Sequence, residues 1–484
     1  MEYSPTFISD FFAAGFFCAA ILLILGLSEW LNQKSRLNNL STRKFVHICV
    51  GLISAFSPWY FTDSLMPIII AFLFTIGNLY MVKKDLLVSI HRHDKNNYGT
   101  VFFPLSFLFL TIFFWNKPII FASGMLVMAI ADPLASTIGR NVTNPRVFKV
   151  WKDNKSIEGS TFMFISTFLL LSVVIVYGSW FTHRIQILPI VIIFGIVGLV
   201  ALIATIGEMT SRNGSDNFSI PILVALFLDI FIIQYNFNNL PSITLWVLLS
   251  LAIFIYSTFR NWLTLDGCFT AWIIGSLIFS TQGLIWVLPL FVFFVTASIL
   301  TRMHKVNISE NQTNSGRGLV QVLANGGIAI LIALYCFYTK SDGYIFYLAA
   351  VAAASADTWA TEIGMRNKTN PIHCLTFKTL KPGDSGGVSL LGTVGSLLGA
   401  FAIGILGVIT SMSINHILLI TAAGFLGSIG DSILGGTMQA KYHCEICGKD
   451  TEKSSHCEIS STHTSGLRII NNDGVNVINT IIAV

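Results

Sequence analysis

Runs of about 20 predominantly apolar residues recur along the whole chain, and each is long enough to cross a hydrocarbon core as an α-helix. Of the 484 residues, 54% are hydrophobic and 11% are charged, whereas a soluble domain carries about 25% charged residues. The pattern predicts an all-α, polytopic integral membrane protein with about 16 transmembrane helices. These spans are predicted near residues 8–31, 45–62, 64–82, 100–116, 118–138, 160–181, 185–206, 219–235, 241–258, 268–280, 283–300, 319–338, 343–364, 386–411, 415–435 and 467–484.

The loops between the spans alternate in charge. Basic residues concentrate in every second loop, for example in 34–44, 83–95 and 140–155, and the intervening loops are short and nearly uncharged. The positive-inside rule therefore predicts that the basic loops face the cytoplasm and that the N-terminus lies outside. The sequence has no P-loop, no GxGxxG motif and no basic patch of the kind that binds nucleic acid, so we expect no nucleic-acid partner.

The polar motifs occur twice in the same order, which predicts two related halves, 1–236 and 237–484. Each half has a basic residue one helical turn before a His or Gln, an acid inside an apolar run, a Lys in a Gly-rich stretch, a second acid and an acid–amide pair. Both sets fall on the basic side of the membrane, so the repeat is parallel. The two sets are Arg43, His47, Asp132, Lys155, Glu208 and Asp216–Asn217, then Arg317, Gln321, Asp357, Lys381, Asp431 and Asn472–Asp473.

An acid at membrane depth costs about 2.5–3.5 kcal/mol on insertion scales, so its presence asks for a reason. Carboxylate and amide oxygens are ligands that Mg²⁺ takes together with substrate phosphates. The alternative is that Asp132 and Asp357 pair with Arg140 and Arg366 and only lock helices together. The predicted Mg²⁺ ligands are Asp132, Glu208, Asp216 and Asn217 in the first half, and Asp357, Glu362, Asp431, Asn472 and Asp473 in the second.

The basic and glycine-rich segments are candidates for phosphate binding, because backbone N–H groups approach an anion closely where no Cβ intervenes. His47 could accept the proton of a hydroxyl nucleophile. Gln321 cannot accept a proton in this way, which fits a substrate whose attacking oxygen is already ionised. The alternatives are that the basic segments are simply solvated loops and that His47 is a core residue without a catalytic role. The predicted phosphate- and nucleotide-binding residues are Arg43, Arg140, Lys155, Ser156, Glu158, Gly159, Arg317, Gln321, Asn325, Lys381, Gly383, Ser385, Gly386 and Gly387, and the predicted catalytic residues are His47, Asp132 and Asp357.

A cysteine-rich loop, 441–463, is predicted on the cytoplasmic side. Cys444, Cys447 and Cys457 together with His456 could hold a structural Zn²⁺ with tetrahedral Cys₃His ligation. His443 and His463 are further imidazoles in the loop, and thiols without metal are the alternative. Reduced thiols are expected in the cytoplasm, so no disulfide framework is predicted.

The motifs resemble those of two families. RKFVHICVG, ADPLASTIGR, KSIEGS and GEMTSRNGSDN resemble the dolichol/phytol kinase family, relatives of the CDP-diacylglycerol synthases. TFRNWLTLDG, ASILTRMHK, QVLANGG, SADTWATEIG, KPGDSGGVSLLGT, KYHCEICGKDTEKSSHC and INNDGVN resemble the phytyl-phosphate kinase family, also known as transmembrane protein 19-like.

The resemblance implies a fusion of two kinases that act in sequence. The first half would transfer a phosphoryl group from a nucleoside triphosphate, typically CTP, to a polyprenyl alcohol such as phytol or geranylgeraniol. The second half would convert the monophosphate to the diphosphate with CTP or GTP. The residues alone leave two other functions open, a lipid cytidylyltransferase of the CDP-diacylglycerol synthase type and a transporter with duplicated halves.

The alternating loops predict the outcome of cysteine labelling in intact cells. Cysteines introduced at Asp94, Lys152 and Lys453 should be shielded from an impermeant thiol reagent because they face the cytoplasm, while one at Gln282 should react. Permeabilised cells, in which all four should react, provide the control. Labelling of all four in intact cells would overturn this topology.

Overall fold

The computed structural model of the protein describes residues 5–34, 39–84, 97–150, 153–305, 316–367, 369–448, 450–452, 454–457 and 459–484. Of the four labelling positions, Asp94, Lys152 and Lys453 lie outside these residues, and Gln282 is the last residue of a helix. Lys449 of the cysteine-rich loop also lies outside them.

The chain folds into two compact units, Met1–Thr244 and Leu245–Val484. A chain in lipid must satisfy its backbone hydrogen bonds internally, which apolar helices do within one segment. The helices of the first unit are α1 (Pro5–Gln33), α2 (Asn39–Ala55), α3 (Ser57–Tyr60), α4 (Leu65–Lys83), α5 (Gly99–Phe114), α6 (Pro118–Leu126), α7 (Asp132–Asn141), α8 (Ile157–Val176), α9 (Ile190–Thr210) and α10 (Asp216–Asn236), followed by α11 (Leu240–Phe259), which includes the boundary.

The second unit contains seven further helices among its described residues. They are α12 (Leu265–Gln282), α13 (Leu284–Lys305), α14 (Leu319–Thr339), α15 (Tyr344–Gly364), α16 (Leu390–Gly404), α17 (Ile414–Thr437) and α18 (Asn472–Ile482). Two π-helical turns, Val127–Ala131 and Tyr177–Phe181, join α6 to α7 and extend α8, and a 3₁₀ turn, Ile405–Thr410, follows α16.

The strands are short and lie in the loops. An antiparallel hairpin, β1 (Val147–Val150) and β2 (Asp153–Ser156), precedes α8. The pair β3 (Ile372–His373) and β4 (Gly387–Val388) precedes α16. The cysteine-rich loop contains β5 (Lys441–His443), β6 (Asp450–Thr451), β7 (Ser455–His456), β8 (Ile459–Ser460) and β9 (Thr462–Ser465), with β5 between β6 and β9.

The helical, membrane-embedded class predicted from the sequence is confirmed, and each predicted span coincides with a helical segment. Within the described part of the chain, eleven helices are long and apolar enough to cross a membrane, so the count of sixteen is not confirmed. The largest difference is at the end of the chain. There α18 has 11 residues, where a span needs about 20.

In each unit the acid-bearing helix approaches its neighbours closely because the contacts are made by small residues. A Cβ added to Gly51 of α2 would lie 2.4 Å from the Cβ of Ala129 in the π-helical turn. A Cβ added to Gly424 of α17 would lie 2.8 Å from the Cβ of Ala352 in α15. Only glycine permits these separations, so Asp132 and Asp357 each follow a segment enclosed by other helices.

A second close contact repeats seven residues after each acid. A Cβ on Gly139 would lie 3.1 Å from the Cα of Gly159, and a Cβ on Gly364 would lie 3.2 Å from the Cα of Gly392. These pairs join α7 to α8 and α15 to α16. The repeat therefore has the same local geometry in both units.

The serine residues that cap α8 and α16 align the two units in the same way as the glycine contacts do. Ser156 Oγ accepts a hydrogen bond from Gly159 N at the start of α8, and Ser389 Oγ accepts one from Gly392 N at the start of α16, both at 3.1 Å. The residue that corresponds to Lys155 is therefore Val388. The sequence comparison paired Lys155 with Lys381, and that pairing is wrong because residue spacing alone did not distinguish the capped glycine from the glycines of the preceding loop.

An ion pair between a half-exposed lysine and a buried carboxylate joins α6 to α10 in the first unit. Lys117 Nζ lies 2.8 Å from both carboxylate oxygens of Asp229, whose side chain is 5% exposed. Asp229 is 13 residues beyond Asp216 on α10, or about 20 Å along the helix. The pair therefore lies far from the predicted site residues and gives Asp229, an acid in an otherwise apolar run, a structural role.

Lys117→Ala should destabilise the protein because it leaves the carboxylate of Asp229 buried without this cation. Lys117 is 41% exposed, so we expect a cost of about 3 kcal/mol, at the lower end for a buried pair. Thermal unfolding in detergent measures the effect. Combining it with Asp229→Asn should restore most of the stability, and a double variant no more stable than Lys117→Ala would contradict this role.

Candidate active sites

His47 lies on α2 beside the π-helical turn that precedes Asp132. Its Nε2 is 2.9 Å from the carbonyl oxygen of Met128, and its ring meets that of Phe103 edge-on at 5.6 Å. A carbonyl only accepts hydrogen bonds, so Nε2 must carry the proton and donate it. In the neutral ring Nδ1 is then unprotonated and able to accept a proton.

The predicted acids of the first unit lie near one another. Asp132 is within electrostatic reach of Asp216 and Glu208, and of the cations Lys155 and Lys44. Asp216 begins α10, at the end of the helix where the backbone dipole favours a negative charge. The unit therefore brings three carboxylates and two ammonium groups together beside His47.

Lys155 lies at the end of β2 and reaches α9. Its Nζ donates to the Glu208 carboxylate at 2.5 Å and to the Glu208 carbonyl at 2.9 Å. Burial disfavours the ammonium ion, but the neighbouring Glu208 carboxylate outweighs this effect and raises the pKa of Lys155 above its ordinary value. Lys155 therefore carries a positive charge in this acidic site.

Four residues near this hairpin that were predicted to bind phosphate make other contacts or are exposed. Glu158 accepts hydrogen bonds from the backbone N–H of Arg146 at 3.1 and 3.2 Å, so it holds the hairpin. Ser156 and Gly159 form the helix cap described above. Arg140 is exposed and forms no ion pair with Asp132, and Lys44 is the cation on that side.

Arg43 and Asn217 meet around Gly99. Arg43 Nη2 donates to Asn97 Oδ1 at 3.1 Å, and Asn217 Nδ2 donates to the Gly99 carbonyl at 3.1 Å. A Cβ on Gly99 would lie 2.7 Å from Asn217 Nδ2 and 3.2 Å from Arg43 Nη2. The absence of a side chain at Gly99 thus lets an arginine and an amide share one corner of the site.

A cavity of about 560 Å³ opens from this corner between α1, α2, α4 and α5. His47, Arg43, Asn78 and Asn217 are among its polar lining groups, and most of the remaining wall is apolar. Leu22 and Leu73 line it and are 64% and 62% exposed. The cavity therefore has a polar end and an apolar wall that reaches the outer surface of the helices.

The second unit places two carboxyl groups against each other. Asp357 and Asp431 are hydrogen-bonded through their side chains, and Glu452 is within electrostatic reach of Asp431. Asp431 Oδ2 is buried and has no hydrogen-bond partner. An unpaired carboxylate oxygen beside a second carboxyl is a donor set that fits a divalent cation.

These acids line a cavity of about 1600 Å³. Its lining includes three cations, Arg317, Lys441 and Arg468. The predicted site residues of this half that line it are Arg317, Gln321, Asn325, Asp357, Glu362, Gly383, Ser385, Gly386, Gly387, Asp431, Asn472 and Asp473.

Lys381 is the predicted residue that this cavity does not include. It is exposed, and its backbone N–H donates to Asp384 Oδ2 at 3.0 Å. Glu362 does line the cavity, but its partners are Thr301, whose hydroxyl donates at 2.5 Å, and the nearby guanidinium of Arg317. Glu362 is therefore placed to hold Arg317, separately from the pair formed by Asp357 and Asp431.

The cysteine-rich loop brings together the four residues predicted to bind zinc. The ligand atoms of Cys444, Cys447, His456 and Cys457 all lie within 4.8 Å of one another. His443 is instead paired with Asp450 at 2.9 Å. A backbone N–H of Cys447 lowers the pKa of the Cys444 thiol to about 6, so Cys444 is a thiolate at neutral pH. Three thiols and one imidazole at these separations fit a tetrahedral Zn²⁺ site.

Of the residues that the structure describes, this is the one set in which three or more His, Cys, Asp or Glu ligand atoms come so close. The carboxylates of the first unit do not all come within that distance of one another. Mg²⁺ is commonly held by one or two carboxylates and completes its shell with water and substrate phosphates. The acid sets fit that arrangement, and a cage of three carboxylates is not formed.

The sequence did not identify several residues that complete these sites. Ser385 Oγ donates to Glu452, so the cysteine-rich loop contributes a carboxylate to the cavity wall. Asp266 Oδ2 accepts from Leu319 N at 2.9 Å and caps α14, which carries Gln321. The TLDG segment that contains Asp266 stands out in the sequence only as part of a family resemblance. Apart from its position in the cysteine-rich loop, nothing in the sequence indicates that Glu452 is a site residue.

Comparison with known proteins identified one family and several relatives. Residues 248–484 match the family described as integral membrane protein DUF92. A phytol kinase of Synechocystis is 32% identical over 225 residues, which are 46% of this chain and 91% of the relative. Protein PGR of Arabidopsis thaliana is 30% identical over 264 residues, which are 48% of this chain and 90% of the relative.

An uncharacterized membrane protein of Methanocaldococcus jannaschii is 29% identical over 177 residues, or 36% of this chain and 74% of the relative. Each of these three relatives matches less than half of this chain, although most of the relative's own length is covered. No solved structure matches.

The cysteine cluster predicts the metal content of the purified protein. We expect about one equivalent of zinc per chain, measured by mass spectrometry of the metal. Cys447→Ser should lose the zinc and lower the unfolding temperature, because three donors hold the loop less firmly than four. Cys374→Ser is the matched control, since the Cys374 thiol lies outside the cluster, 3.4 Å from the Ser432 carbonyl. Metal-free wild-type protein with an unchanged unfolding temperature would refute the zinc site.

Proposed function

This chain belongs to the phytol kinase-like family of integral membrane proteins, and from that premise we propose that it is a bifunctional kinase. The first unit would phosphorylate a polyprenyl alcohol, such as phytol or geranylgeraniol, and the second unit would phosphorylate the resulting monophosphate. The observation that carries the proposal is the contrast between the two acid-bearing sites. One adjoins an apolar cavity and contains a histidine, and the other is a polar cavity with three cations and no histidine at the corresponding position.

The cavity of the first unit is suited to a prenyl chain. Its volume of about 560 Å³ is within the range of about 300–1,000 Å³ that is usual for small-molecule sites. The exposed positions of Leu22 and Leu73 give an apolar substrate a route from the bilayer. The hydroxyl of a chain bound there would lie at the polar end, near His47 and Arg43.

His47 would act as the general base. As the hydroxyl oxygen forms its bond to the γ-phosphorus, the bond from that phosphorus to the β-phosphate oxygen breaks and the nucleoside diphosphate leaves. The proton of the hydroxyl passes to Nδ1, the ring nitrogen that the Met128 contact leaves unprotonated. Arg43, one helical turn away, would hold a phosphate group through its planar fork of donors.

Asp132 with Asp216 or Glu208 would hold Mg²⁺ in the first unit, and Asp357 with Asp431 would hold it in the second. Mg²⁺ supplies charge neutralisation for the transferred phosphoryl group when bound. Lys155 and Lys44 add positive charge on the same side of Asp132. Phosphoryl transfer needs mainly positioning and such charge stabilisation.

In the second unit the acceptor would be a monophosphate, whose oxygen is already ionised and requires no base. Gln321, at the position that corresponds to His47, is consistent with this difference. Arg317, Lys441 and Arg468 would balance the charge of an acceptor phosphate and a nucleoside triphosphate in one cavity. CTP is the nucleotide we propose for the first unit, and CTP or GTP for the second.

We also propose that both sites face the cytoplasm, where nucleotides are available, and that the N-terminus lies outside. The basic loops support this orientation through the positive-inside rule. Zn²⁺ would be structural, since its four ligands do not line the cavity that contains the acid pair.

Single substitutions should separate the two activities. Asp357→Asn keeps the size of the side chain but removes the charge, so the variant should make the monophosphate and stop. Asp132→Asn should fail on the alcohol and still convert supplied monophosphate to diphosphate. Each affected step should slow about a hundredfold or more, as expected for loss of a metal ligand. Assays in detergent with labelled prenyl substrates measure both steps and also exclude transport as the activity measured.

Loss of both activities in either variant, with the protein still folded, would contradict two separate sites. The by-product tests the reaction class, because a kinase that uses CTP releases CDP and a cytidylyltransferase releases pyrophosphate. Pyrophosphate release with a cytidylylated lipid product would replace the kinase proposal.

A further inference from the structure

The Met128 carbonyl that holds His47 lacks a partner within its own helix, for two local reasons. In an α-helix this carbonyl would accept from the N–H of Asp132, four residues on. In the π-helical turn Val127–Ala131 that N–H bonds to the carbonyl of Val127 instead. The next residue is Pro133, which has no N–H to donate. The carbonyl is therefore free to accept from outside the helix.

His47 supplies the donor that the Met128 carbonyl lacks within its helix. Its Nε2 lies 2.9 Å from the Met128 carbonyl oxygen, and Met128 itself is fully buried. The edge-on contact with Phe103 restricts the ring further. The charged groups that face the ring are Arg43 on the same helix and Asp216 at the start of α10.

The second unit lacks all three elements of this arrangement. Thr358 follows Asp357 at the position that corresponds to Pro133, and α15 continues as an α-helix from Tyr344 to Gly364. Gln321 occupies the position of His47. A proline, a π-helical turn and a histidine thus occur together in one unit, and an ordinary helix with a glutamine occurs in the other.

We propose that Pro133 is a positioning residue that sets the tautomer of His47. By keeping the Met128 carbonyl free of helical hydrogen bonds, it holds the proton on Nε2 and leaves Nδ1 as the base toward the alcohol. The inference rests on the proposed function for its catalytic consequence, whereas the tautomer itself is a property of the protein without substrate. An imidazole held in one tautomer by a third group is a recurrent feature of catalytic bases.

The direct test is nitrogen NMR of protein labelled with ¹⁵N-histidine, in detergent and without substrate. The His47 signals are identified by their absence from the His47→Gln spectrum. Wild-type protein at a pH where the ring is neutral should show His47 protonated at Nε2 alone. Protonation at Nδ1 in the wild type would overturn the proposal, and this measurement requires no folded Pro133 variant.

Pro133→Ala restores an N–H that can bond to the Met128 carbonyl. The His47 signals should then change to a mixture of tautomers, and kcat for alcohol phosphorylation should fall about tenfold, within the contribution of a general base. Phosphorylation of supplied monophosphate should be unchanged. Pro289→Ala, at a proline inside α13 of the second unit, is the matched control and should alter neither the His47 signals nor the alcohol step.

Unchanged His47 signals in folded Pro133→Ala protein would refute the role of Pro133. Wild-type protein that shows the Nε2 tautomer but makes no monophosphate would instead refute the proposed function and leave the tautomer assignment intact. The two failures are therefore distinguishable.

Discussion

Close packing of two helices through glycine is the contact on which both sites depend. In the α7–α8 contact at Gly139 and Gly159 and in the α15–α16 contact at Gly364 and Gly392, an added Cβ would be closer to its neighbours than ordinary van der Waals contact allows. Each contact lies two turns beyond an acid and directly after a serine cap. It fixes the distance between the acid-bearing helix and the loop before the next helix. The acid, the serine cap and the glycine contact therefore keep the same arrangement in both units, although few of the surrounding side chains are the same.

The two units share this helix packing but differ in the residues that would contact the acceptor substrate. The first combines a histidine with an apolar cavity, and the second combines a glutamine with three cations in a polar cavity. The loop that precedes the second helix also differs. In the first unit it is a hairpin that brings Lys155 to Glu208, and in the second it is a glycine-rich segment that lies against the cysteine-rich loop. Asp132 and Asp357 thus lie at equivalent positions in two different environments.

Much of this arrangement could be predicted from the sequence, for reasons that differ between elements. Apolar runs of about 20 residues identify helices in a membrane because a helix of that length spans the bilayer and satisfies its backbone hydrogen bonds within one segment. The cysteine set is predicted because three cysteines and nearby histidines in one short loop can supply tetrahedral Zn²⁺ ligation, and the structure brings four of these ligand atoms together. Lys381 was assigned wrongly to the position of Lys155 because both follow the acid at similar spacing, and only the cap and the glycine contact reveal the register.

Other features depend on atoms that a sequence pattern does not display. Glu452 reaches Ser385 only because the cysteine-rich loop folds back over the cavity. The free carbonyl of Met128 follows from a change in helical hydrogen bonding one turn before Asp132. Pro133 was visible as part of ADPLASTIGR, but its effect on a residue 86 positions earlier requires the contact between α2 and the π-helical turn.

The ion pair between Lys117 and Asp229 has a consequence for how the first unit is made. Entering the bilayer with an unpaired carboxylate costs α10 about 2.5–3.5 kcal/mol, and the lysine that offsets this cost is 112 residues earlier in the chain. The carboxylate of Asp229 therefore meets this cation only once α6 and α10 both lie in the membrane side by side. The placement of α10 is thereby stabilised by its contact with α6.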